Sequence, residues 1–401
     1  MKKNAFQTVS LFGLILCVVM ALSLAAATQE KYFDTASSKS DEVRLTIFEA
    51  PQEGIQALLG LKKEGFLNLD KLVIVSVFHK KERADYLKAA EFVKANRLDW
   101  IKFHELSGEI SRETLFRKNS LSSDFENIFK KSDGVIFFGG YDIPPAIYGQ
   151  KTGLLTQIRT PYRHYIELSF VFHLLGGFQD PNLEQFLKKM PLFPVLGICL
   201  GSQTLNVGTG GTLYQDVWAD IYNATSFEDI TAIPRENLHR NPLARLFPEL
   251  NLFPSNMHPI RLLKNGIFVA RMNFKEKDTP FVRCGHHQAI NALGRGMKVA
   301  AASMDEKVVE AIEHEQFANV LGVQFHPDNP ELWDKDAKFQ FTPEDKEKIS
   351  LRSILENNPP SYDFHKRLFT WFFQNVEKFH KTKDKMTIMS ASRQDPFFLL
   401  K

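Results

Sequence analysis

The stretch Val195-Leu196-Gly197-Ile198-Cys199-Leu200-Gly201-Ser202-Gln203 constrains this 401-residue chain more than any other. An apolar strand runs straight into a cysteine that has glycine two residues before it and two residues after it. Ser202 to Val207 can then begin a helix. A strand that turns directly into a helix brings two backbones close together, so its neighbours must be small. The turn lifts the thiol to the C-terminal edge of a sheet and places it at a helix N-terminus, which favours the thiolate. Taken alone, a buried cysteine serving as a small hydrophobe is the competing reading.

The surrounding pattern fits such a turn. Strands are expected at Val43–Phe48, Leu72–Phe78, Trp100–Phe103, Gly134–Phe138 and Val195–Ile198. Helices are expected at Lys80–Asn96, with Ala84, Leu87, Ala90, Phe92 and Val93 near one face, and at Tyr165–Leu175. This alternation predicts an α/β fold with a mostly parallel central sheet flanked by helices. Val299–Ser303, Val308–Glu313 and Val320–Phe325 read as further strands. Residues 334–360 are highly charged and read as an exposed insertion. Phe364, Leu368, Phe372 and Val376 recur at helical spacing in Tyr362–Phe379, with Ser361 as cap, and that face is expected on the sheet. One domain is expected over 41–380, followed by a mobile tail over 381–401.

The first 27 residues read as a signal peptide: basic Lys2 and Lys3, an uncharged apolar run from Leu11 to Leu24, and small residues at Ala25 to Ala27. A polar linker is expected over 28–40. The mature protein would act in periplasm, exterior or a lysosome-like lumen, with no stable membrane insertion after cleavage. Cleavage removes Lys2 and Lys3 from the 50 basic residues that face 47 acidic ones, so the mature chain is almost neutral. That balance offers a nucleic acid nothing to bind. Only Cys199 and Cys284 remain, too few for a disulfide framework.

Further motifs narrow the reading. Gly197-Ile-Cys-Leu-Gly-Ser-Gln203 is followed by Leu205-Asn-Val207, Gly210-Gly-Thr-Leu-Tyr-Gln-Asp216 and His258-Pro259. Gly285-His-His-Gln-Ala-Ile290, Glu310-Ala-Ile-Glu313 and Leu321-Gly-Val-Gln-Phe-His-Pro-Asp328 come next. Upstream lie Gly139-Gly140, Pro144-Pro145 and Tyr148-Gly149. In these motifs the chain resembles the class I glutamine amidotransferase-like cysteine peptidases, and especially their γ-glutamyl hydrolase and γ-glutamyl-γ-aminobutyrate hydrolase branch. The resemblance spans about Gly134 to Pro330.

The resemblance implies a three-layer, flavodoxin-like architecture and a Cys–His–carboxylate triad. Cys199 would attack the carbonyl of a γ-glutamyl amide and form a thioester, with His326 as its base. The family carries Glu two residues after this histidine. Here the position is Asp328, one methylene shorter, with Glu331 as the nearby substitute. The backbone N–H groups of Gly140 and Leu200 would form the oxyanion hole. Gln203 would contact the glutamyl group, and the loop of His286 and His287 would lie on the rim, with His287 near substrate. Arg163 and Glu167 also match family positions, where a solvated or structural ion pair is an equal reading.

The expected partner is therefore a small γ-glutamyl substrate, with no cofactor. His286-His287 suggests a metal, but no further ligands stand at suitable spacing, so none is assigned. Two rival functions remain: a glutaminase-type amidotransferase subunit, and a weakly catalytic γ-glutamyl-binding protein. Cys284, placed just before the rim loop, raises the further possibility of a disulfide to Cys199 that would shut the enzyme off.

Overall fold

The computed structural model describes residues 31–37, 41–48 and 52–393. The expected leader lies outside the described residues. Among those described, no helix is long and apolar enough to cross a membrane.

The strands are β1 (Val43–Phe48), β2 (Leu72–His79), β3 (Ile101–Leu106), β4 (Gly134–Phe137), β5 (Val195–Ile198), β6 (Leu213–Tyr214), β7 (Asn256–Leu262), β8 (Phe281–Cys284), β9 (Ala289–Ile290), β10 (Met297–Ser303), β11 (Val309–His314), β12 (Val320–Val323), β13 (Lys338–Phe339) and β14 (Ile349–Ser350). β6 pairs with β9 and β13 with β14. The other ten form one sheet in the order β3-β2-β1-β4-β5-β12-β11-β10-β7-β8. The run from β3 to β12 is parallel. From β11 onward each strand opposes its neighbour.

Helices α1 (Gln52–Lys63), α2 (Arg83–Ala95), α3 (Ser122–Lys131), α4 (Pro161–Leu175) and α5 (Leu200–Gly208) accompany the parallel half, and α6 (Leu351–Asn357) and α7 (Ser361–Arg393) close the chain. Strand alternation sorts the side chains between two layers. Leu45, Ile47, Ile74, Ile136, Leu196 and Ile198 share a core with Ile55 and Leu58 of α1, Val93 of α2 and the apolar face of α7. Val73, Val75, Val135, Phe137 and Val195 share the other with Phe125 of α3, Phe170 of α4 and Leu205 of α5. With both faces covered, the parallel strands need the near-continuous apolar text they carry. Phe364, Leu368, Phe372 and Val376 of α7 are fully buried. Burial of that kind contributes on the order of 1.5–3 kcal/mol per side chain, enough to hold the helix on the sheet.

Several local expectations change. Ser361 does not cap α7; its hydroxyl accepts the N–H of Phe281 at 2.8 Å. The segment Lys80–Asn96 starts as a 3-10 turn, and α2 proper buries Ala89 and Val93 while Leu87 stays exposed. At the margin of the sheet only a narrow stripe of that helix is covered. The expected insertion 334–360 is partly core: Phe341, Leu351 and Leu355 are buried, and Phe339 and Phe341 pack on Phe253. Within the expected linker, Tyr32–Thr35 forms a helical turn whose Phe33 is buried.

The expected tail begins inside α7 and is anchored there. Buried Asp133 accepts the Arg44 N–H at 2.8 Å, meets His380 Nδ1 at 3.1 Å and pairs with Lys383 at 2.6 Å. One carboxylate thus ties the last helix to the foot of β1 and β4.

Candidate active site

The C-terminal ends of β4, β5 and β12, side by side in the sheet, carry the chemistry, as is usual for parallel α/β sheets. Cys199 follows β5 directly and precedes α5, with φ 53° and ψ −106°. That left-handed φ is strained for a side chain, and such strain gathers at functional turns. The Cys199 N–H donates to Val323 O of β12 at 2.7 Å, which fixes the turn to the neighbouring strand. Gly201 admits no side chain, since a Cβ there would collide with the Phe137 carbonyl.

His326 leaves the end of β12, its N–H bonded to Arg283 O at 2.9 Å. Its Nδ1 meets Asp328 Oδ1 at 3.2 Å, and its ring and the Cys199 side chain both border Gly139. Burial disfavours the imidazolium, but the Cys199 thiolate and the Asp328 carboxylate outweigh it and raise the histidine to about 9. The shorter Asp side chain therefore reaches the ring. Glu331 sits in the next turn, its N–H bonded to Asn329 Oδ1, and Asp328 is the acid paired with His326.

The loop Gly139-Gly140 packs into this pair. A Cβ on Gly139 would lie 2.6 Å from His326 Cε1, and one on Gly140 would lie 2.9 Å from Leu200 Cδ2. The expected oxyanion residues Gly140 and Leu200 are thus in contact at the nucleophile. A cavity of about 200 Å³ lies against the histidine and its carboxylate, lined by Glu53, Gly139, Arg283, His326 and Asp328.

Cysteine, histidine and carboxylate on two adjacent strand ends are the equipment of an acyl-transferring cysteine hydrolase. The family model of Peptidase C26 matches residues 113–328, more than half of the chain. The chain belongs to the Peptidase C26 family.

This Peptidase C26 chain is similar to several named proteins. It is 32% identical over 194 residues to "Putative glutamine amidotransferase Rv2859c" of Mycobacterium tuberculosis, covering 48% of this chain and 50% of that protein. It is 27% identical over 207 residues to "Putative glutamine amidotransferase-like protein YvdE" of Lactococcus lactis, covering 52% and 70%. A CTP synthase of Clostridium beijerinckii matches at 28% over 165 residues, 38% of this chain and 29% of that one. The chain thus spans half the length of the mycobacterial relative. The family supports a hydrolase of the glutamine amidotransferase-like kind.

Other expected residues sit elsewhere. Gln203 is buried, and its Nε2 donates to Gln324 Oε1 at 3.2 Å and to Gln288 O at 3.4 Å. Gln324 in turn points its Nε2 at Cys199 Sγ, 3.7 Å away. Gln324 is no part of the expected site, and its place two residues before His326 on the same strand end is the one signal of it in the sequence. Both nitrogens of His287 are engaged, Nε2 with Asp142 at 2.9 Å and Nδ1 with Asp216 at 3.3 Å. Burial opposes its charge, yet the two carboxylates raise it to about 9. It ties the loop after β4 to the segment after β6. Cys284, a free thiol, is fully buried rather than on the rim, with His258 Nε2 2.9 Å from its sulfur.

Arg163 and Glu167 form a buried pair, Nε to Oε1 2.8 Å. The guanidinium also donates to Phe138 O at 2.9 Å and Gly139 O at 3.0 Å, so α4 grips the loop that carries Gly140. Arg163→Met is expected to destabilise the fold by about 3–5 kcal/mol, because it strands the carboxylate of Glu167 in the core. The double variant Arg163→Met/Glu167→Leu should recover most of that stability while kcat stays depressed. Urea titrations beside initial rates check this, and recovery of both together would show that the clamp has no part in placing the loop.

Proposed function

We propose that this chain hydrolyses γ-glutamyl amide bonds through a glutamyl thioester on Cys199, releasing glutamate and an amine. The observation that carries the reading is the strained Cys199 turn beside His326, with Asp328 behind the ring. The thiolate attacks the amide carbonyl. The negative oxygen that forms is met by the N–H groups of Gly140 and Leu200, already fixed in place. The His326 imidazolium gives its proton to the leaving nitrogen, then takes one from the water that cleaves the thioester.

The neighbouring cavity supports a small substrate. Arg283 on its wall has a buried Nε with no hydrogen-bond partner among the described residues. A guanidinium of this kind suits the α-carboxylate of a glutamyl group.

The names of the relatives favour glutamine as a second substrate, with ammonia as the leaving amine. Both readings share the acyl enzyme and differ in the leaving group. Full-length protein assayed against glutamine, γ-glutamyl-γ-aminobutyrate, a γ-glutamyl dipeptide and a short polyglutamate separates them, with glutamate as readout. Preference for a substituted amide supports the hydrolase. Preference for glutamine supports the amidotransferase, and binding with neither turnover nor a trapped thioester would leave only a binding protein.

A further inference from the structure

A second group of reactive side chains lies in the antiparallel half of the sheet, and the triad does not use it. His239 comes from the segment before β7, Cys284 from the end of β8, His286 from the loop after it, and Glu310 from β11. None is more than 4% exposed. One donor atom from each lies within 4.8 Å of every other.

The hydrogen bonds around these donors are those of a ligand set more than of a closed polar network. His286 Nδ1–H donates to Gln288 O at 2.8 Å, so its Nε2 carries the lone pair, and that Nε2 has no partner among the described residues. Orientation of a ring by a backbone carbonyl is the usual outer support of a metal-binding histidine. Among the described residues His239 has no hydrogen-bond partner on either nitrogen. Its Nδ1 lies 3.1 Å from Glu310 Oε1, yet the two do not form a hydrogen bond, and that oxygen too has no partner among the described residues. Buried polar atoms are rarely left unpaired, and those that are call for an unseen partner.

We propose that His239, Cys284, His286 and Glu310 bind a zinc ion. Two imidazoles, a thiolate and a carboxylate make a borderline-soft set of four, and four is the number that closes a tetrahedral zinc site. Tetrahedral edges for such bonds are about 3.3–3.8 Å, so small side-chain rotations bring the donors onto the ion. With every position filled by protein and none exposed, the ion is structural. It joins the segment before β7 to β8, its following loop and β11. The Gln288 carbonyl that orients His286 also holds Gln203, and through it Gln324 at the nucleophile.

Cys284 must lose its proton to bind. The S–H bond breaks, the proton is released to solvent as the metal enters, and the sulfur lone pair goes to the metal. His258 Nε2 lies 2.9 Å from the sulfur, and its Nδ1 meets Pro259 O at 3.1 Å.

The test uses full-length protein stripped with a chelator and titrated with Co²⁺, then Zn²⁺. About one equivalent of Co²⁺ per chain is expected, giving tetrahedral visible bands and a thiolate-to-cobalt band in the near ultraviolet that Zn²⁺ bleaches. The near-ultraviolet band should vanish in Cys284→Ser and persist in Cys199→Ala. His239→Ala/His286→Ala should weaken Zn²⁺ binding more than ~100-fold. Folded, stripped wild-type protein that takes up neither ion overturns the proposal without recourse to any variant. So does a thiolate band that survives Cys284→Ser or disappears with Cys199→Ala.

Discussion

Cys199→Ala is expected to lower glutamate release by ~10⁴-fold or more while leaving the fold intact. The reaction needs a sulfur anion at one point in space, and nothing nearby replaces it. Ser202, the closest hydroxyl along the chain, is fully buried, with its oxygen against Gly322. Alanine keeps a Cβ at the strained φ of 53°, so the elbow itself is not released. A coupled glutamate assay on protein whose circular dichroism and unfolding midpoint match wild type reads the result. Normal turnover by such a protein would remove Cys199 from the mechanism.

Asp328→Asn should cost about 10³–10⁴-fold in kcat with little change in KM. The carboxylate holds the ring by Nδ1 and stabilises the imidazolium, and an amide does neither reliably. A change in pH dependence should accompany the loss. His326 is raised to about 9 in the folded protein, where burial pulls down and the Cys199 and Asp328 charges push up harder. A raised histidine keeps its proton as pH climbs from neutrality and gives it up near pH 9. The proton is the one destined for the leaving amine, so kcat/KM should fall through an alkaline limb near 9. With the charge at 328 removed, that limb should move to lower pH. Asp328→Glu keeps the charge and should retain both rate and limb. A harmless Asp328→Asn together with a crippling Glu331→Gln would transfer the role to Glu331.

What could be read in the sequence was what the chain encodes locally. Cys199, its glycines and its helix lie within a dozen residues, and the sheet end that holds His326 and Asp328 is a single short run. The parallel half was legible for the same reason, since strands buried on both faces are apolar throughout. What escaped depends on distant segments meeting. Arg163 and Glu167 read equally well as a solvated helical pair until α4 is seen packed against the Gly139-Gly140 loop. Phe339, Phe341, Leu351 and Leu355 are diluted by charge in sequence, and only the fold turns them toward Phe253 and the sheet. Cys284 and His286 share one segment, but His239 and Glu310 come from two others, so no spacing rule gathers all four. Gln203 was placed near the substrate by resemblance, whereas packing turns its amide to Gln324 and Gln288.

Strands β5 and β12 lie side by side in register, yet β12 is synthesised long after β5. As the chain is made, the thiol of Cys199 therefore emerges well before its base. Until β12 takes its place between β5 and β11, His326 is missing from the site and Val323 is not there to hold the elbow. Assembly of the sheet and completion of the site are therefore one event. A product truncated ahead of β12 is accordingly expected to be inert.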